Sequence, residues 1–197
     1  GAYGDWEMHD KIATRFGVSA VYSPEERYTP TDSAPGNTAL KLADSVNLFE
    51  TGSLVPGVTV TNADYRILAL DAGMKYKGIF LQFEYYKRWL DSFEADGVLP
   101  MGEIKDQGWY LQAAFYPIPR KLEVYGATSQ IYGDSDVGFS DSWEYVLGMN
   151  YYPFDTRNHR LNLQYIDVYK SPVSSNFGYY VGGQEGDTFS AAFSIFF

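Results

Sequence analysis

The side chains able to do chemistry in this sequence are charged and amide groups, and their spacing says more than their identity. Arg15, Lys75, Arg88 and Arg160, the carboxylates Asp5, Glu7, Asp71, Glu84, Glu123 and Glu144, and the neutral Gln82, Tyr110, Gln112, Asn150, Asn162 and Gln164 fall in stretches where polar and apolar residues alternate. Period two is extended strand, with one polar and one apolar face. A polar face of mixed sign suits the wall of a water-filled pore. The same groups paired across a small closed barrel of eight to ten strands would plug it instead. No set of residues forms a nucleophile with its base: there is no Gly-x-Ser-x-Gly, no phosphate-binding glycine loop, and no carboxylate pair set apart from the rest. The chain is therefore expected not to be an enzyme. Asp134, Asp136 and Asp141 share one loop but lack EF-hand spacing, and read as solvated acid. His9 and His159 lie in turns with no second ligand at metal spacing, so neither a metal nor another cofactor is expected. The absence of cysteine removes disulfide and thiol chemistry, and a net charge of -10 argues against nucleic acid as a partner.

The elements that must carry these residues are strands. Alternation runs over residues 12–22, 65–76, 79–89, 108–116, 121–132, 143–152, 159–169 and 188–197. Each is near the length that a tilted strand needs to cross a bilayer. Trp6 and Met8 alternate with Asp5 and Glu7, which predicts the end of a further strand over residues 1–8. Nine strands is an odd count where single-chain bacterial barrels are usually even, so strands upstream are expected. The connections near residues 9, 77, 118 and 155 are short, whereas those at 23–64, 90–106, 133–142 and 170–186 are long. Short turns at one end and long loops at the other is the layout of an outer-membrane barrel. The loop 23–64 carries Pro24, Pro30, Pro35 and Pro56, and its Leu40, Ala43, Val46 and Phe49 at helical spacing predict a short helix. This loop either constricts a pore or covers its outer mouth.

The fold class expected is all-β, a single antiparallel transmembrane β-barrel domain over residues 1–197. No run approaches the length and apolarity of a membrane helix. Strands in lipid must close on themselves, because an open edge leaves backbone groups unpaired. With 18 Tyr and 13 Phe the chain is rich in aromatics, and Tyr22, Tyr76, Trp109, Trp143 and Tyr151 sit where two interfacial girdles would lie. Stacking of sugar rings is the other use of such aromatics, but their apolar phase favours lipid.

The last stretch has the clearest pattern. Phe189, Ala191, Phe193, Ile195 and Phe197 make one apolar face, opposite Thr188, Ser190, Ala192 and Ser194. It resembles the C-terminal signature of bacterial outer-membrane barrels, which implies recognition by the barrel-assembly machinery, with Phe189, Phe193, Ile195 and Phe197 as the signal. A buried terminal strand of a soluble sandwich is the alternative.

A wider resemblance rests on Ala63-Asp64-Tyr65-Arg66, Leu70-Asp71-Ala72-Gly73-Met74-Lys75-Tyr76, Gln82-Phe83-Glu84-Tyr85-Tyr86, Trp89-Leu90, Tyr151-Tyr152-Pro153-Phe154 and Arg160-Leu161-Asn162-Leu163-Gln164-Tyr165. From about residue 44 onward the chain resembles the C-terminal half of the phosphate-selective porin O and P family. That resemblance implies a 16-stranded, often homotrimeric diffusion channel in the Gram-negative outer membrane, in contact with its lipid and about half present here. The family's anion selectivity rests on ladders of Arg and Lys, and this sequence departs from that. Its inward cations are matched by Asp5, Glu7, Asp71, Glu84, Glu123 and Glu144. The expectation is a general porin passing small hydrophilic solutes or ions, with a mild cation preference. A small closed barrel serving as an anchor, an adhesin or a subunit of an envelope complex is the second reading. Replacing Phe197 by Ser is expected to lower the amount of protein assembled in the outer membrane, measured by immunoblot of membrane fractions, while the synthesis rate stays the same.

Overall fold

The computed structural model describes residues 4–171 and 185–196. Eight strands follow one another: β1 (Ala13–Glu26), β2 (Val60–Tyr76), β3 (Ile79–Ala95), β4 (Glu103–Ile118), β5 (Leu122–Tyr132), β6 (Ser142–Tyr151), β7 (His159–Tyr169) and β8 (Gly186–Ile195). They form one antiparallel sheet in sequence order, β1 to β8, with every strand beside its chain neighbour. Among the described residues β1 pairs only with β2 and β8 only with β7, so the sheet is open. No described helix is long and apolar enough to cross a membrane, which does not bear on crossing by strands.

Local chemistry sets the register. Lys77 and Gly78 both take positive φ, 47° and 83°, and join β2 to β3 in two residues. That turn geometry matches the twist of the flanking strands and aligns Tyr76 with Ile79. From there the pairing continues unbroken to Asp64 and Asp91. Register then assigns faces without ambiguity, since a slip of one residue would exchange them. One row across the sheet reads Thr14, Met74, Leu81, Ala113, Gly126, Leu147, Tyr165, Phe189. The next row along the strands reads Arg15, Gly73, Gln82, Gln112, Ala127, Val146, Ile166, Thr188. The sheet therefore has an apolar face and a polar face.

Gly148 shows how the polar face is fitted together. The Tyr125 ring lies directly over it, where a Cβ would stand. Tyr125 of β5 thus crosses β6 and bonds to β7: its hydroxyl donates to Gln164 Oε1 at 2.9 Å and accepts from Asn162 Nδ2 at 2.8 Å.

Three expectations are corrected. The segment 1–8 holds no strand among its described residues: 4–10 is turn and coil, so the described residues hold eight strands and not nine. Its alternation arises because Trp6 is buried on the polar face while Glu7 points to solvent. The segment around Leu40, Ala43, Val46 and Phe49 is not helical. It doubles back through an isolated antiparallel bridge, Lys41 with Asn47, closed by Leu42 N–H to Val46 O at 2.8 Å and Leu48 N–H to Leu40 O at 2.9 Å. The apolar residues come from both arms of that excursion, and their spacing only imitates a helix. Finally, β2 and β3 run 17 residues each, well beyond the 12 and 11 anticipated. At about 3.3 Å per residue such strands are roughly 55 Å long, so they extend past a bilayer core of about 30 Å. Most of the loop anticipated at 170–186 lies outside the described residues, as does Phe197.

Gly148→Val is expected to push Tyr125 off Gln164 and Asn162 and to destabilise the sheet by about 1–3 kcal/mol, the usual range for overpacking. Urea unfolding in detergent, followed by the loss of heat-modifiable gel mobility, measures this.

Candidate functional site: the polar face

By register all fourteen anticipated wall residues share one face: Arg15, Asp71, Lys75, Gln82, Glu84, Arg88, Tyr110, Gln112, Glu123, Glu144, Asn150, Arg160, Asn162 and Gln164. The structure brings many of them together. Arg15 Nη2 lies 2.7 Å from Asp71 Oδ1. Gln82 donates to Glu84 at 2.6 Å, and Tyr110 to Gln112 at 2.6 Å. Asn162 donates to Asn150 Oδ1 at 2.9 Å, and Asn150 donates to Glu123 Oε2 at 2.8 Å. With Tyr125 and Gln164 these form one hydrogen-bonded chain across β5, β6 and β7. Lys75 Nζ sits 5.5 Å from the Phe80 ring centre. Glu144 stands on the same cross-sheet row as Asp71, Glu84 and Tyr110, and Arg160 stands opposite Ser194 at the short-turn end.

Asp106 was missed by sequence reasoning. Its carboxylate takes two hydrogen bonds from the Arg88 guanidinium, at 2.8 and 2.5 Å, and both side chains are largely buried. Asp106 had been placed in a loop. Extending the alternation of Gly108 and Tyr110 by one step would have found it. Tyr125 and Tyr86 also lie on this face, each ring covering a glycine of the adjacent strand, Gly148 and Gly108.

The hydropathy phase reverses toward the long-loop end. There the polar face carries Leu90, Ile104, Ile166 and Val168, all buried, while the opposite face carries Arg66, Lys87, Asp91, Glu103 and Lys105. The connection 27–59 explains the reversal on β3 and β4. Its Leu40, Leu42, Leu48 and Phe49 pack on Leu90, Ile104, Val60 and Ala63, with Leu48 and Phe49 at 0% exposure. Arg88 also donates to Lys41 O at 2.7 Å, and the buried Arg27 guanidinium donates to Phe49 O and Ser33 O within the connection. The long connection thus lies on the polar face.

A second segment lies on the same face at the opposite end. Trp6 is 8% exposed and meets Tyr152 edge-on at 4.6 Å and Tyr116 at 6.0 Å. Asp5, fully buried, accepts from Gly78 N at 2.8 Å and His9 N at 3.0 Å and pairs with the His9 ring. Burial alone pushes the Asp5 carboxyl up, but hydrogen bonds and charge from His9, with the Gly78 amide, outweigh it and hold the carboxyl below its ordinary value.

The residues anticipated for the girdle lie on the apolar face. Tyr85, Trp109, Gln130, Trp143 and Tyr169 form one row, with Trp143 stacked on Tyr169 at 3.9 Å. Tyr22 lies on that face beside Arg66, and Tyr76 and Tyr151 end their strands on it at the short-turn side. Phe189, Phe193 and Ile195 are on the apolar face and exposed, Phe189 by 81%. Among the described residues no three His, Asp or Glu converge as metal ligands. Asp134 and Asp141 instead accept backbone N–H groups of Lys105, Asp136 and Gly133.

An antiparallel meander with one apolar and one polar face, short turns at one end and long loops at the other, is the wall of a β-barrel porin. The phosphate-selective porin O and P family matches residues 40–181, and the chain belongs to that family. It is a family of outer-membrane channels, not of enzymes. No curated protein and no solved structure matches the chain.

The depressed Asp5 carboxyl stabilises the segment's fold fully above the ordinary value of 3.8, and that contribution is lost as pH falls through the lowered value. Trp6 is therefore expected to become more exposed to water as pH falls below 3.8 through that lowered value. A red shift in emission, taken as the difference between the native protein and Trp6→Phe, measures this.

Proposed function

We propose that the polar face lines a passive, water-filled channel for small hydrophilic solutes and ions, and that the apolar face contacts outer-membrane lipid. One observation carries this reading. The connection 27–59 and the segment at 4–9 both pack on the polar face, and large apolar side chains on the other face stay exposed. Closure of the sheet through the free edges of β1 and β8, within the 16-stranded barrel that the family resemblance implies, completes the wall. The 27–59 connection narrows the mouth at the long-loop end, and the aromatic row with Tyr22, Tyr76 and Tyr151 sits at the lipid interfaces. The terminal strand addresses the chain to the barrel-assembly machinery, and the channel assembles as a homotrimer.

Selectivity follows from how the charges on the polar face are balanced. Arg15 and Arg88 are bound to Asp71 and Asp106, so they focus little positive potential. Lys75 and Arg160 share that face with Glu84, Glu123 and Glu144, and this mixed sign favours a mild cation preference over phosphate selectivity.

Single-channel recording in a planar bilayer under a salt gradient is expected to give ohmic conductance with a weak cation preference. Strong anion selectivity would restore the phosphate reading, and no conductance would favour the anchor. Leu147→Arg, on the apolar face, is expected to cost about 2–4 kcal/mol in stability. Gln112→Arg, on the polar face, is expected to leave stability nearly unchanged and shift the reversal potential toward anions.

A further inference from the structure

We propose that residues 4–9 are a strap across the short-turn mouth of the channel, forming a second constriction there with Trp6 as its size-limiting side chain. The proposal rests on the reading that the polar face lines the channel. The strap's contacts reach all three short turns of the sheet. At the β2–β3 turn, Asp5 accepts from Gly78 N at 2.8 Å, His9 O accepts from Lys77 N at 2.9 Å, and Met8 lies against Gly78. At the β4–β5 turn, Arg120 Nε donates to Trp6 O at 3.4 Å. After β6, Trp6 packs on Tyr152, and the Arg157 guanidinium lies 5.4 Å from the centre of its ring.

The wall beneath is shaped to receive it. Gly4, at φ +75°, lies against the Glu123 carboxylate and the Tyr116 hydroxyl, and a Cβ there would strike both. Glu123 is itself buried and held by Asn150. Tyr116, Glu123, Asn150 and Tyr152 continue the polar-face phase of β4, β5 and β6, so the strap covers the face that water and solute would pass. Buried carboxylate bonds, edge-on aromatic packing and a cation over the indole fix it more firmly than a surface turn needs. Glu7, next to the buried Trp6, is exposed and stands as the charge on the strap's free side.

Two variants test this in planar bilayers, with folding checked by heat-modifiable mobility. Trp6→Ala is expected to raise single-channel conductance roughly 1.5-fold or more and to admit larger neutral polymers, since flow through a constriction follows its open area. Glu7→Cys, in a chain with no other cysteine, leaves the strap's buried contacts intact. Its modification by a bulky water-soluble thiol reagent is expected to lower conductance within a single recording. Native channels whose conductance and polymer exclusion are unmoved by either change would overturn the strap and leave the porin reading standing. No conductance from the native protein or either variant would overturn the porin reading and the strap with it. A silent native protein that conducts once Trp6 is replaced would show the strap closing the mouth outright.

Discussion

A peptide group in hydrocarbon has no water to bond, and each one left unpaired costs several kcal/mol. That constraint governs this chain. It requires each strand to pair with its neighbours, which the ladders from β1 to β8 provide, with register shifts only near strand ends, at 60–64 and 115–118. Over the short-turn half of the strands it also requires that charged and amide-bearing side chains stand on one side. The result is a sheet whose two faces differ in kind. Phe16, Leu70, Leu81, Phe115, Leu147 and Phe189 are left exposed on one, and nearly all the mid-strand ionisable groups occupy the other. A soluble sheet would bury the first face; here the two segments that fold back choose the second.

The polar face is not an array of free charges. Arg15 and Arg88 are spent on carboxylates of adjacent strands, and Glu123, Asn150, Asn162, Tyr125 and Gln164 bond to one another. Such pairing holds side chains against the wall and flattens the potential along it. The chain belongs to a family named for phosphate, while its described polar face lacks a row of unpaired arginines. The polar face is also covered at both ends, by connection 27–59 among Leu90 and Ile104 and by Trp6 among Tyr116 and Tyr152.

The strands, their faces and the alternation of short and long connections were legible in the sequence because period two survives wherever one face meets lipid. Legibility failed where that environment ends. Residues 90 and 104 are apolar on the polar face because a loop packs there, so the pattern breaks and β3 and β4 look shorter than they are. Asp106 was lost with them. The excursion at 40–49 imitated helical spacing because its buried residues come from two antiparallel arms. Trp6 and Asp5 looked like a strand end, and nothing local marks them as partners of Tyr152 and Gly78. Contacts between residues 73 and 146 positions apart are set by the order and register of the sheet, not by neighbouring sequence.

The account stands on the opposite environments of the two faces, and a single-cysteine scan of β3 from Leu81 to Tyr86 in proteoliposomes tests that most directly. The native chain has no cysteine to interfere. The account predicts reaction with a charged, water-soluble thiol reagent at positions 82, 84 and 86, and protection at 81, 83 and 85. Uniform reactivity along the strand, or the opposite phase, would contradict it.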